Sequence, residues 1–251
     1  MSSSVPPTDN IERAVRDLTR ARHAVALTGA GISSESGIPP FRGKGGVWER
    51  IDPMEYATIQ AFQRNPKKVW QVLFLEMKTV LDQARPSAGH LGLARLEELG
   101  RLKTVITQNV DGLHQAAGNT DVIEFHGNFA WQRCDSCGRT LPSRELVLDE
   151  LPPRCPCGGL WRPDCVLFGE LIPFTPLARC QEIVATCDLM LVIGTSAVVQ
   201  PAASLPAMAR AAGATIIEIN PEATPLTQGT SHYLIQGGAG EILSRIAGAC
   251  P

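Results

Sequence analysis

The sequence predicts an α/β protein: a Rossmann-like open parallel sheet with helices on both faces, plus a small domain made of a zinc ribbon and a helical insert. Three observations predict it. Short apolar runs alternate with helical patterns along most of the chain, and several of those runs are apolar on both faces, as strands covered by helices on each side are. Two segments interrupt the alternation, one helical and one rich in cysteine.

The elements follow in order. Asp9 and Glu12 have capping-box spacing and Ile11, Ala14, Val15 and Leu18 form a stripe, so a helix is expected to about Arg22. The run HAVAL leads into Thr28 as the first strand. The glycine turn behind it, Gly29-Ala30-Gly31, lacks the third glycine of a dinucleotide fingerprint and the lysine of a mononucleotide loop. Gly37, Pro39 and Pro40 then cut short any helix that starts there. Further strands are expected at 102–107 (LKTVIT), 121–125 (DVIEF), 188–194 (DLMLVIG) and 215–220 (TIIEIN), with helical patterns at 88–99, 175–187, 203–212 and 240–249. The main domain is thus expected from 8–46, 85–129 and 164–251, with a helical insert at 47–84 and a zinc-binding insert at 130–163.

Open α/β sheets bind ligands beyond the carboxyl ends of their strands. Polar clusters fall at those ends: the glycine turn, then Gln108, Asn109 and Asp111, then His126-Gly127, then Gly194-Thr195-Ser196, and lastly Asn220. Of five histidines, His126 is the general-base candidate, since it sits with the other tips and imidazole titrates near neutrality. His23, His90, His114 and His232 are expected to be surface or packed residues.

Bulk composition sets limits. A chain of 251 residues with 44% hydrophobic content can bury a sizeable core, and a net charge of −2 gives no basic field for nucleic acid or an anionic membrane. MSSSVPPTDNIE has no leader pattern and no apolar run approaches the roughly 20 residues of a membrane span, so a cytoplasmic protein is expected. Eight cysteines then suggest thiols and metal ligands, not a disulfide framework. Cys134 and Cys137 form C-x2-C, and after 17 residues Cys155 and Cys157 form C-x-C. Four thiolates in two close pairs match a closed, structural zinc site. Four plain buried thiols are the alternative, and Cys165 is a possible substitute ligand better read as strand packing.

The segments GAGISSESGIPPFRG, TQNVDGLH, EFHGNF, the paired cysteines, RPDCVLFGE, GTSAVVQPAA and EINPE occur in this order. Together they resemble the sirtuin family of NAD-dependent protein lysine deacylases, over about residues 10 to 247. The resemblance implies that Gly29, Ala30, Gly31 and the N–H groups of the short helix hold the NAD diphosphate. It implies that Phe41 shields the reactive face and Arg42 stays near the phosphates. Asp111 and Ile38 would hold the nicotinamide amide, whose NH2 needs an acceptor. Gln108 and Asn109 would line the ribose, with Asn109 and His126 as the catalytic pair. Gly194, Thr195 and Ser196 would bind the phosphate and ribose side, and Asn220 the adenosine ribose. Val166, Phe168, Gly169 and Glu170 would pair with an extended acyl-lysine peptide by strand addition. Zinc would do no chemistry. The implied products are nicotinamide, O-acyl-ADP-ribose and free lysine, made by a monomer. A mono-ADP-ribosyltransferase using the same NAD site is the alternative; a dehydrogenase or a non-catalytic zinc module accounts for fewer of the residues.

The helix after Asn65-Pro66 bears on the acyl group. At 100° per residue Leu73 lies inside its apolar face near Val69, Met77 and Val80, while Glu76 falls at the border. Sirtuins that remove succinyl or malonyl groups carry Tyr-x-x-Arg on this helix, and the matching positions here are Leu73 and Glu76. Neutral acyl groups are therefore expected to be favoured, whether Glu76 faces the acyl tunnel or solvent.

Overall fold

The computed structural model describes residues 7–41 and 45–251; Arg42 lies outside the described residues. Nine strands form among them, in chain order Ala24–Thr28 (β1), Thr104–Thr107 (β2), Val122–Glu124 (β3), Gly127–Cys134 (β4), Thr140–Pro142 (β5), Trp161–Cys165 (β6), Leu189–Ile193 (β7), Thr215–Asn220 (β8) and Tyr233–Gln236 (β9). Six make one sheet in the order β3-β2-β1-β7-β8-β9, with every neighbouring pair parallel. The five expected strands are all present, and β9 is a sixth. Its Tyr233 and Leu234 are only half-buried and it pairs with β8 alone, so as an edge strand it has no long apolar run to betray it.

Each residue of β1, β2 and β7 is buried, because helices cover both faces. One face packs Leu18, Leu93, Leu96, Leu243 and Ile246 from helices Pro7–Arg20, Ala88–Glu98 and Ala239–Ala249. The other packs Cys180, Val184, Leu205 and Ala209 from helices Phe174–Thr186 and Leu205–Ala211. The chain runs outward from β1 through β2 to β3, then returns beside β1 as β7 and runs outward the other way. That reversal opens a crevice beyond the carboxyl ends of β1 and β7, the place where such sheets take ligands.

The second sheet, β5-β4-β6, is antiparallel and carries the cysteine pairs. Gly127, where β4 begins, has φ +80°, and a side chain there would put Cβ 2.1 Å from the Asp164 carbonyl oxygen, so only glycine lets the chain turn from His126 into β4. The helical segment between Pro53 and Gln83 packs on this sheet through Phe62, Trp70 and Phe74, and the Trp70 indole donates to the Trp161 carbonyl at 3.0 Å. Within it, Asn65 caps the helix that begins at Pro66 by accepting from Lys68 N–H at 3.1 Å, and a π-helical turn spans Trp70–Phe74. Val69, Leu73 and Met77 are buried, in keeping with the apolar face expected of this helix.

Candidate active site at the sheet reversal

The glycine turn does its first work inside the fold. Gly29 N–H donates to Ile193 O at 3.0 Å and Gly31 N–H to Gly194 O at 2.8 Å, so the loops after β1 and β7 touch. A Cβ on Gly31 would stand 2.7 Å from Gly194 Cα, which leaves no room for any other residue. Those two N–H groups are therefore committed within the fold, and the short helix Ala30–Ser36 that follows ends at Gly37 as the proline run requires.

Beside this turn, the tips of β1 and β2 knit into a buried polar network. Asn109 Nδ2 donates to Gly29 O and to Ser33 Oγ, both at 3.1 Å, and Ser33 Oγ donates to Asp111 Oδ2 at 2.7 Å. Asp111 Oδ1 accepts from Leu113 N–H at 3.0 Å, which fixes the carboxylate from its other side. Behind Ser33 lies His90, fully buried, whose Nδ1 accepts from Ser87 N–H at 3.1 Å. Ser87 and His90 form a capping box at the start of helix Ala88–Glu98, with histidine in the place usual for glutamate. That Ser-x-x-His spacing was the signal in the sequence for this support, and the reading of His90 and His114 as packed residues holds.

The two buried rings lie 4.8 Å apart. Thr28 Oγ1 donates to Thr107 Oγ1 and so accepts from His114 Nε2, each at 2.9 Å, leaving His114 Nδ1 buried without a partner. Burial pushes His114 down to about 3, helped by the His90 ring, and pushes His90 down to about 4 against the pull of Asp111. Both rings are neutral spacers under Asp111.

His126 stands apart from that pair. Its Nδ1 lies 3.0 Å from Gln108 O, an acceptor only, so Nδ1 carries the proton and Nε2 is the free base. Burial lowers its pKa and the bond to Gln108 partly restores it. Gln108 is held in turn by donating Nε2–H to Thr195 Oγ1 at 3.0 Å, which joins the tips of β2 and β7. Ala197, just beyond, has φ +53°, a strained position in the loop that closes this edge. Asn220 ends β8 farther out, its amide donating to Glu222 O at 2.8 Å. Hydrogen bonds thus join the tips of β1, β2 and β7 to one another and to His126.

The comparisons with known proteins meet this geometry. The Sir2 family profile matches residues 29–201. A protein named NAD-dependent protein deacylase 2, from Pyrobaculum aerophilum, is 48% identical over 91% of this chain and 91% of its own. The chain belongs to the Sir2 family. A mutant Sir2 homologue solved with ADP-ribose superposes with a TM-score of 0.90 at 45% identity, covering 94% of each chain. A Sir2 protein solved with a p53 peptide and NAD+ gives 0.85 at 33% identity, over 94% of this chain and 96% of that one.

As in the reading of its cysteines, this Sir2 family member brings Cys134, Cys137, Cys155 and Cys157 together, with all four sulfurs within 4.8 Å of one another and all eight cysteines free of disulfides. The Cys134–Cys157 and Cys137–Cys155 sulfur separations are 3.5 and 3.8 Å. A zinc tetrahedron with bonds of about 2.3 Å has edges of about 3.8 Å, so the donor set fits zinc. Cys165 is buried in β6 outside the cluster.

Three further features of the Sir2 chain bear on substrate contact. Phe41 stacks on Trp48 with centroids 5.1 Å apart, and Trp48 leans on Phe168 at 6.2 Å. In the segment after β6, Val166 N–H donates to His126 O at 2.9 Å, tying it to the general-base candidate. Phe168 uses both its backbone groups on the chain itself, donating to Ala57 O and accepting from Ile59 N–H, and Glu170 turns its carboxylate inward onto Leu167 N–H at 2.8 Å and onto Arg162. Of the four positions implied for peptide contact, Phe168 therefore offers its half-exposed ring. Lastly, Pro39, Val47 and Ile51 face Leu73, Met77 and Val80 across a small apolar cavity that Glu76 also lines. Glu76 is paired with Arg50 at 2.9 Å. Ile38 is buried beside Leu113 and Ala84.

Proposed function

We propose that this chain is an NAD-dependent protein lysine deacylase. The observation that carries the reading is the bond from Val166 N–H to His126 O: the base candidate and the segment read as the peptide loop are immediate neighbours. Its relatives' names and their complexes with ADP-ribose, NAD+ and peptide support it. No helix among the described residues is long and apolar enough to cross a membrane.

Bound NAD supplies a ribose carbon whose leaving group is nicotinamide, on which the acyl oxygen of the modified lysine acts. Asp111, held by Ser33 and Leu113, keeps lone pairs free to accept from the nicotinamide amide. Asn109 and Gln108 orient the ribose from the tip of β2. His126 Nε2 removes a ribose hydroxyl proton, and water completes the release of lysine and O-acyl-ADP-ribose. Phe41 and Trp48 keep solvent from the reacting face. Gly194, Thr195 and Ser196 take the phosphate and ribose side, Asn220 the adenosine ribose, and Val166 to Glu170 the extended peptide. Zinc at the four cysteines holds the small sheet's shape and takes no part in the chemistry. The main domain runs over 8–46, 85–129 and 164–251, with the inserts at 47–84 and 130–163.

The cavity beside Leu73 is the acyl pocket in this reading. Its apolar walls and the Arg50–Glu76 pair leave no free cation for an acyl carboxylate there among the described residues, which favours acetyl and longer neutral chains over succinyl. Incubation with NAD and acetylated peptide, followed by mass, tests the function. Free lysine with one O-acetyl-ADP-ribose per turnover is expected; ADP-ribose attached to protein, with the acetyl group intact, would replace this reading with a mono-ADP-ribosyltransferase.

A further inference from the structure

Arg162, in β6, is 1% exposed, yet it is a full guanidinium among apolar neighbours. Such a group is tolerated only when its donors are satisfied. Its Nε donates to Asp135 Oδ1 at 2.7 Å, its Nη1 to Cys165 O at 2.9 Å and its Nη2 to Glu170 Oε1. The ring of Phe62 lies under it, 5.9 Å away. The two carboxylate partners come from different turns. Asp135 sits between Cys134 and Cys137 in the cysteine turn, whose backbone is pinned by Asp135 N–H to the carbonyl of Leu160, the residue before β6, at 3.0 Å. Glu170 closes the loop after β6, since its other oxygen accepts from Leu167 N–H at 2.8 Å and its own N–H returns to Leu167 O at 3.0 Å. Gly169 within that turn has φ +87°, so the turn has little intrinsic preference to fall back on if Glu170 is released.

We infer that Arg162 is a positioning residue that ties the cysteine turn to the peptide loop, so that the shape of the metal site sets the conformation of Leu167–Glu170. The guanidinium's rigid fork spans both carboxylates at once, which an ammonium cannot do. Zinc bound by the four cysteines would thereby act on substrate binding through Asp135, Arg162 and Glu170, at a distance from the NAD pocket. The inference rests on reading 166–170 as the acyl-peptide loop.

The test is a set of steady-state measurements on zinc-loaded protein with an acetyl-lysine peptide and NAD, with zinc per chain and peptide affinity in the absence of NAD measured in parallel. Asp135→Ala removes the anchor on the metal side without touching the peptide loop. It should raise the peptide KM about tenfold, the loss of one charge-assisted hydrogen bond, while kcat, the KM for NAD and zinc content stay near wild type. Asp135→Asn, which keeps the acceptor oxygen, should recover most of that loss. Arg162→Lys, which leaves the cysteine turn's residues intact, should reproduce the peptide defect. Combined with Asp135→Ala it should add little, because both break one path. If Asp135→Ala sheds zinc, Arg162→Lys decides alone. An unchanged peptide KM and affinity in folded, zinc-loaded Arg162→Lys overturns the tie, as do fully additive effects. Wild-type protein with no NAD-dependent deacylation would instead sink the functional reading.

Discussion

Arg50 Nη2 lies 2.9 Å from Glu76 Oε1, joining the segment after the glycine turn to the helix that carries Leu73. Both side chains are about half exposed, so the pair contributes little to stability, about 0–1 kcal/mol. Its consequence is for specificity. Glu76, which lines the cavity, is answered by Arg50, so its carboxylate should repel an acyl carboxylate less than an unpaired one would. Glu76→Gln should release Arg50 and raise the succinyl-to-acetyl ratio of kcat/KM by roughly three- to tenfold, the scale of one partly screened charge contact. Adding Arg50→Leu should remove the gain. Matched acetyl and succinyl peptides measure both; a gain that survives Arg50→Leu would mean that another cation receives the carboxylate.

His126→Ala should lower deacylation by roughly 10²–10⁴-fold while NAD binding and the melting curve stay close to wild type. In the proposed mechanism neutral His126 is the active form, and burial lowers its pKa, so the acid limb of kcat/KM should fall below the ordinary histidine value, not above it. A pH profile breaking above that value would show that the base sits in a more solvated setting.

Acid should destabilise the fold through His90 and His114. Their folded values of about 4 and about 3 lie below the unfolded histidine value, so between these limits the unfolded chain binds more protons and stability is lost as pH falls. From pH 7 to 5 the melting temperature should drop by roughly 5 °C or more. His114→Gln, whose amide can still donate to Thr28, should flatten that slope. Thermal scans across pH check it; an unchanged slope in the variant would show that His114 does not titrate with unfolding.

Cys134→Ala should abolish zinc binding and loosen the β4–β6 sheet, because structural zinc sites carry folding energy directly. Metal analysis with hydrogen exchange over 127–165 measures this. Full protection and full activity without metal would contradict it.

The sequence by itself determined the parts that depend on local pattern. Runs such as Leu189–Ile193 declared buried parallel strands, the Gly37-Ile38-Pro39-Pro40 run declared a short helix and a loop, and the cysteine spacing declared a tetrahedral thiol cluster, because residue period, backbone restriction and ligand spacing are all properties of neighbours in the chain. Only the tertiary structure decided which distant groups share a hydrogen bond. It placed Ser33 on both Asn109 and Asp111, gave Gln108 O to His126, set Arg50 on Glu76, and ran Arg162 from Asp135 to Glu170. The same tertiary contacts made an edge strand of Tyr233–Gln236, a four-residue run with only Ile235 buried and too short to carry a pattern of its own. These choices depend on register and side-chain reach across the sheet reversal, and spacing along the chain does not encode them.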